Sequence, residues 1–282
     1  MAVIVFDLLI LGAGWTSTFL IPLCKDRGIS YAATSRSGRD DTISFEFDPT
    51  SDDPTPFQSL PPAKTVLITF PIKVAGASTR LVRLYQQTHV EGPKAAFIQL
   101  GSTGIWDGGP TLQDGSRTWT DRRSRFDESN DRARAEIELL ALAPGTHTTV
   151  LDLCGLWGGA RNLKNWIPRV APTKEVLKEK GSIHMIHGLD VSRAVLAVHA
   201  RFDRASGQRW LLTDGRVYDW WDLASAWGEE GKQGRWVREL MGETGVRALP
   251  RTPEFIGRAM DSREFWETFE LEPVKGRLGE DP

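Results

Sequence analysis

The chain has 282 residues, 40% of them hydrophobic, with 35 Lys and Arg against 37 Asp and Glu and a formal net charge of -2. That length can bury one large core, or a nucleotide-binding core with a smaller lobe, and the balanced charge excludes the basic footprint that nucleic acid or an anionic lipid surface demands. A small molecule is the expected partner and a soluble, cytoplasmic protein the expected state: Cys24 and Cys154 stand far apart without metal-ligand spacing and read as buried apolar residues of a reducing compartment.

The apolar start "MAVIVFDLLILGAGW" has no basic leader, carries Asp7 inside the run and turns directly into glycines, so it reads as a buried first strand and not as a signal peptide. No other run approaches the roughly 20 apolar residues that span a bilayer. In chain order, "FDLLIL" (6–11), "SYAAT" (30–34), "ISFEF" (43–47), "TVLITF" (65–70), "AAFIQL" (95–100), "TTVLDLC" (148–154) and "QRWLLT" (208–213) read as buried strands of a parallel sheet. The amphipathic stretches "STFLIPLCKDRG", "STRLVRLYQQTH", "NDRARAEIELLALA" and "DVSRAVLAVHARF" alternate with them. The alternation predicts an α/β, Rossmann-like doubly wound parallel sheet of about seven strands with a small C-terminal substrate lobe. Residues 1–156 form the dinucleotide-binding core, with 186–213 completing the sheet, and 157–185 together with 214–282 form the smaller lobe. Several of the eleven tryptophans cluster in the last third, either lining that lobe or filling its core.

The first strand ends in "GAGWTS". Gly12 permits the tight turn and Gly14 the close approach of a pyrophosphate to the backbone; Ser17 holds the third position, where only close helix packing is required. Trp15 and Thr16 open the helix on whose N-terminus the pyrophosphate would rest. The end of the second strand distinguishes the nucleotides. An NAD-selective site offers an acid there, whereas "TSRSGR" offers Ser35, Arg36 and Arg39, suited to the 2′-phosphate of NADP. The alternative is a solvated basic turn with Asp40 or Asp41 reaching the ribose. Phe70, at the end of the fourth run, is counted with the cofactor residues.

Three further stretches carry a resemblance: "FIQLGSTGIWDG" (97–108), "LCGLWGGAR" (153–161) and "HMIHGLDVSRAVLAV" (184–198). With the glycine loop, their order and spacing resemble the extended short-chain dehydrogenases, the group containing sugar-nucleotide epimerases and dehydratases, and within it an atypical G-x-G-W branch of NAD(P)-binding epimerase/dehydratase-like proteins. The resemblance implies an oxidoreductase or epimerase/dehydratase-like enzyme using NADP. It places Ser102, with Thr103, at the catalytic hydroxyl, which otherwise only shapes the loop. The family's Tyr-x-x-x-Lys falls on Glu128 and Arg132, in "ESNDRARAE" (128–136). Arg132 can still hold a ribose but cannot titrate usefully; Glu128 could act as a base, as in a non-redox isomerase or lyase, or simply be an acid in a helix's first turn with Asp127 as N-cap. A sensor or scaffold that binds NADP without turnover is the third possibility. Tyr218 is the phenol that could replace the missing tyrosine. Asn162, Lys164, Asn165 and Trp166 fall where relatives begin to touch substrate, or on a surface helix. His184 and His187 lack accompanying ligands, so no metal site is expected, and Asp190 reads as an N-cap.

Overall fold

The computed structural model describes residues 4–107 and 119–279; Gly108, which closes the quoted loop motif, lies outside them, as do residues 1–3 and 280–282 at the chain ends. Each apolar run supplies a strand: β1 (Phe6–Leu11), β2 (Tyr31–Ser35), β3 (Ile43–Ser44), β4 (Ala63–Ile68), β5 (Ala96–Ser102), β6 (Thr148–Leu153) and β7 (Gln208–Leu212). They form one sheet in the order β7-β6-β5-β4-β1-β2-β3, every pair parallel. The third run is shorter than its pattern suggests. Only Ile43 and Ser44 pair in register with β2; Phe45 adds one last bond, its amide donating to Ser35 O at 2.9 Å, and packs its ring edge-on against Phe57.

Both faces of the sheet are covered, which is why its strands read as continuous apolar runs. Leu8, Ile10, Leu67, Ile98 and Leu151 pack with helices α1 (Ser17–Asp26) and α4 (Gly188–Ala200) through Leu20, Cys24, Val191 and Val195. Leu9, Leu11, Val66, Ile68 and Val150 face α2 (Ala77–Thr88) and α3 (Asp131–Leu140) through Leu81, Tyr85 and Leu139. A fully buried leucine contributes about 1.5–3 kcal/mol, so these interleaved rows fix the register.

Two caps differ from the sequence expectation. Asn130, not Asp127, caps α3, its side chain accepting from Arg132 N at 3.0 Å; Asp127 takes the Ser129 amide at 2.9 Å instead. His187 caps α4 through Leu189 N. Asp190 is buried one turn further on, where it accepts from the amides of Val274 and Lys275 and from Arg193.

A separate apolar cluster joins Trp157, Leu163, Ile167, Leu177 and Met185 to Trp220, Trp221 and Leu240 of α5 (Trp220–Trp227) and α6 (Lys232–Thr244). The last helix, α7 (Arg263–Phe269), returns to the sheet, setting Phe265 and Phe269 against Trp210. The tryptophans of both regions are mainly core: Trp106, Trp157, Trp210, Trp220, Trp221 and Trp266 are all buried. Both cysteines are buried and free. Among the described residues no helix is long and apolar enough to cross a membrane.

Candidate active site

From β1 the chain builds β2 and β3 on one side, then places β4 on the other. The two connections diverge there, opening a crevice at the carboxyl ends of the strands. A cleft of about 740 Å³ occupies it, lined by Gly12 to Thr16, Thr34 to Ser37, Arg39, Thr69, Phe70, Leu100 to Ser102, Arg132, Cys154 and Arg161 among others.

The glycine loop is pinned between β2 and β4. Gly12 N donates to Thr34 Oγ1 at 3.0 Å, Thr69 Oγ1 donates to Gly12 O at 2.6 Å, and Ala13 N donates to Thr34 O. Gly12 has φ +93°, and a Cβ there would lie 2.7 Å from Thr69 Oγ1. Gly12 is therefore required by the turn itself. At Gly14 a Cβ would meet nothing within 4 Å, so its missing side chain leaves space in the cleft and not in the core. Behind it, Ser17 Oγ is buried without a hydrogen-bond partner. An open backbone cradle at a helix start fits a pyrophosphate.

Past β2, Ser35 is buried and its hydroxyl lies 2.7 Å from Thr42 Oγ1, also accepting from Arg39 N. Arg39 reaches Ala13 O and pairs with Asp40. Arg36 is exposed on the cleft wall. Asp40 and Asp41 are not among the lining residues, so neither is set to reach a ribose; among the described residues the one lining carboxylate is Glu46. Phe70 stacks on Phe47 with ring centroids 6.1 Å apart, making an aromatic wall opposite the arginines.

At the other end, β5 delivers Gly101 and Ser102. Ser102 Oγ accepts from Gly104 N at 3.1 Å, and Ser102 N donates to Asp152 Oδ1 at 2.9 Å. Thr103 is buried behind the lining. Asp152 belongs to a buried charge cluster in which Arg209 lies 3.0 Å from Glu136 and 3.1 Å from Asp152. Burial, reinforced by the Asp152 carboxylate, pushes the Glu136 carboxyl well above the usual range; burial raises Asp152 as well. Arg209 and the more distant Arg132 oppose that rise without cancelling it. This cluster escaped the sequence reading because its members lie on three separate elements.

Arg132 lines the cleft, but Glu128 does not: it is exposed in the loop before α3. Its place outside the lining follows from the cap, since Asn130 starts the helix two residues after it. Tyr218 is also elsewhere, its hydroxyl donating to Asp214 at 2.6 Å in the second lobe; burial, and then the Asp214 carboxylate, raise the phenol's pKa. It is therefore not poised to release a proton into the cleft. Cys154 reaches the lining, with its thiol held protonated by burial. Among the described lining residues there is no Tyr, Lys or His.

Next to the cleft, Asn162 and Lys164 line a smaller pocket of about 150 Å³ with Trp157 and Trp227, while Asn165 is exposed and Trp166 packs into the lobe. His184 accepts from Met260 N at 3.0 Å, and burial lowers its pKa to about 3. Among the described residues no three His, Cys, Asp or Glu side chains gather to hold a metal.

Strand order, glycine cradle and cleft together define a Rossmann-like α/β fold built on a seven-stranded parallel sheet. Solved structures share it over nearly the whole chain at low identity. Vestitone reductase from alfalfa superposes with a TM-score of 0.65 at 14% identity, covering 98% of this chain and 96% of that one. UDP-glucose 4-epimerase from Brucella ovis, in complex with NAD, gives 0.61 at 16% identity, over 97% and 95% of the two chains. RMD from Pseudomonas aeruginosa, complexed with NADPH, gives 0.60 at 11%, over 95% and 93%. No protein-family model matches the sequence, and no curated protein matches it.

Proposed function

We propose that the cleft binds NADP and that the chain is an NADP-dependent oxidoreductase or epimerase/dehydratase-like enzyme acting on a small organic substrate. The observation that carries this reading is the cleft itself: Gly14 opens into it, Arg36, Ser37 and Arg39 line it directly after β2, and among the described residues the turn 36–41 puts no carboxylate in the lining. Gly14 to Ser17 would hold the pyrophosphate, Arg36 and Arg39 the 2′-phosphate, and Arg132 the nicotinamide ribose. When bound, the nicotinamide supplies a hydride acceptor or donor. Ser102, whose hydroxyl is oriented by the Gly104 amide, would hydrogen-bond a substrate oxygen, and the lobe of 157–185 and 214–282 would cover the substrate. Nicotinamide nucleotides in the neighbouring structures support the class of cofactor. Calorimetry tests the choice within it: NADPH is expected to bind at least about tenfold more tightly than NADH, and Arg36→Ala to erase that difference. Equal affinities would overturn the assignment.

A second reading, a protein that binds NADP without turning over a substrate, is favoured by the lining's lack of Tyr, Lys and His among the described residues. Absence of any NADPH-linked turnover across a panel of carbonyl compounds and alcohols, with tight NADPH binding retained, would select it. The non-redox alternative with Glu128 as base has less support, since that carboxylate stands outside the cleft.

A further inference from the structure

Arg161 differs in origin from the other cations of the cleft. Arg36 and Arg39 follow β2 and Arg132 lies on α3, whereas Arg161 comes from the turn after residues 155–157, beside the second lobe. Its guanidinium lies over the indole of Trp15, 4.4 Å from the ring centroid. Trp15 Nε1 donates to Gly158 O at 3.1 Å, and Gly158 and Arg161 exchange backbone hydrogen bonds of 3.0 and 3.1 Å. Gly158 has φ +109°, and a Cβ there would overlap the His187 ring. The turn that carries Arg161 is thus fixed to the residue immediately after Gly14.

Most arginines at the lobe boundary are neutralised: Arg193, Arg251 and Arg258 each pair with a carboxylate. Arg161 forms no ion pair with a described carboxylate. It borders both the 740 Å³ cleft and the 150 Å³ pocket. Among the described residues the cleft lining holds four arginines, Arg36, Arg39, Arg132 and Arg161, against one carboxylate, Glu46, and of the four Arg39 also pairs with Asp40 outside the lining. Such an excess marks a site for a ligand with several negative charges.

We propose that Arg161 reaches across from the second lobe to bind the pyrophosphate of the dinucleotide, an inference that rests on the NADP reading above. A planar guanidinium offers two parallel N–H groups to phosphate oxygens, and stacking on Trp15 holds that fork in place before the ligand arrives. The other source of the same chemistry is a phosphate on a substrate seated in the smaller pocket.

Calorimetry with NADPH, NADH, ADP-ribose and adenosine 2′-monophosphate separates the sources. Arg161→Ala is expected to weaken NADPH, NADH and ADP-ribose by a common factor of about ten or more, while leaving adenosine 2′-monophosphate, which has no pyrophosphate, within about twofold. Arg161→Gln, which keeps bulk over Trp15 but removes the charge, should match it, and Arg161→Lys should retain part of the affinity. Arg36→Ala should give the reverse pattern, weakening only the two ligands that carry a 2′-phosphate. If folded Arg161→Ala and Arg161→Gln bind ADP-ribose as the wild type does, Arg161 does not hold the pyrophosphate and the phosphate it serves belongs to the substrate. In that result wild-type NADPH binding would leave the cofactor reading standing. Wild-type protein that binds none of the dinucleotides would overturn both.

Discussion

The two ends of the cleft are built to different standards of completeness. At the end formed by β1, β2 and β4, an open backbone cradle faces the cleft, and the backbone of the glycine loop is held from both sides by Thr34 and Thr69. At the end formed by β5, β6 and α3, the scaffold is equally well held, by the Asp152 contact to the Ser102 amide, yet the lining offers a hydroxyl, a guanidinium and a protonated thiol where proton transfer needs a group that titrates near neutrality. Binding and reaction are separable properties of one fold, and here the first is far more fully specified than the second.

The largest expected effect probes the complete end. Gly14→Val should cut dinucleotide affinity by about 100-fold or more while the melting temperature holds, because the new side chain enters open space. Gly12→Val should instead lose stability, through its positive φ and the contact with Thr69. A Gly14→Val protein that binds NADPH normally would reduce the loop to a turn.

The next effect falls on the other end. A Cβ at Gly101 would overlap Asp152 Oδ1 and sit 2.7 Å from Glu136 Oε1 and Val150 Cγ1, all buried and unable to retreat. Gly101→Ala should therefore cost about 1–3 kcal/mol in denaturant unfolding; a neutral result would show that the charge cluster is loosely packed.

Stability against pH should separate two buried groups, Glu136 beneath the β5 end and His184 against Met260, from ordinary surface residues. Glu136 has a folded pKa raised by burial and by Asp152, so its contribution is full in acid, below the unfolded glutamate range, and is lost as the pH rises toward the raised value. His184 has a folded pKa lowered by burial to about 3, so its contribution is present above the unfolded value of about 6.5 and is lost as the pH falls from there toward about 3. Thermal melts of Glu136→Gln should lose part of the alkaline decline and keep the acid limb. An unchanged alkaline limb would mean that Glu136 ionises freely.

The smallest effect is the most diagnostic for the reaction end. Glu128→Gln should change stability by less than about 0.5 kcal/mol and NADPH affinity by less than about twofold, as expected of an exposed loop residue. A large loss in either would place Glu128 in the site after all.

The sheet was legible in the sequence because strands buried on both faces are mostly apolar along their length, and the glycine loop because its backbone demands are local. What stayed hidden depends on partners distant in the chain. Asp190 looks like a cap by position, yet its carboxylate is claimed by the amides of Val274 and Lys275. Asp127 and Asn130 are both competent caps, and only the Ser129 amide taken by Asp127 separates them. Arg161 was visible only as part of a motif, since its partner Trp15 lies at the opposite end of the nucleotide-binding core. That positions 128 and 132 hold Glu and Arg was evident at once, but where Tyr218 would point was not.

The bond from the Trp15 indole to Gly158 also sets a timetable for the newly made chain. Chain emerges from the ribosome N-terminus first, and the elements that hold most glycine loops are near neighbours. In this protein the loop's anchors in β2 lie 22 residues away, but the Gly158 anchor is synthesised 143 residues after Trp15. A nascent chain halted anywhere before that turn would carry the glycine loop without the Gly158 carbonyl that anchors Trp15.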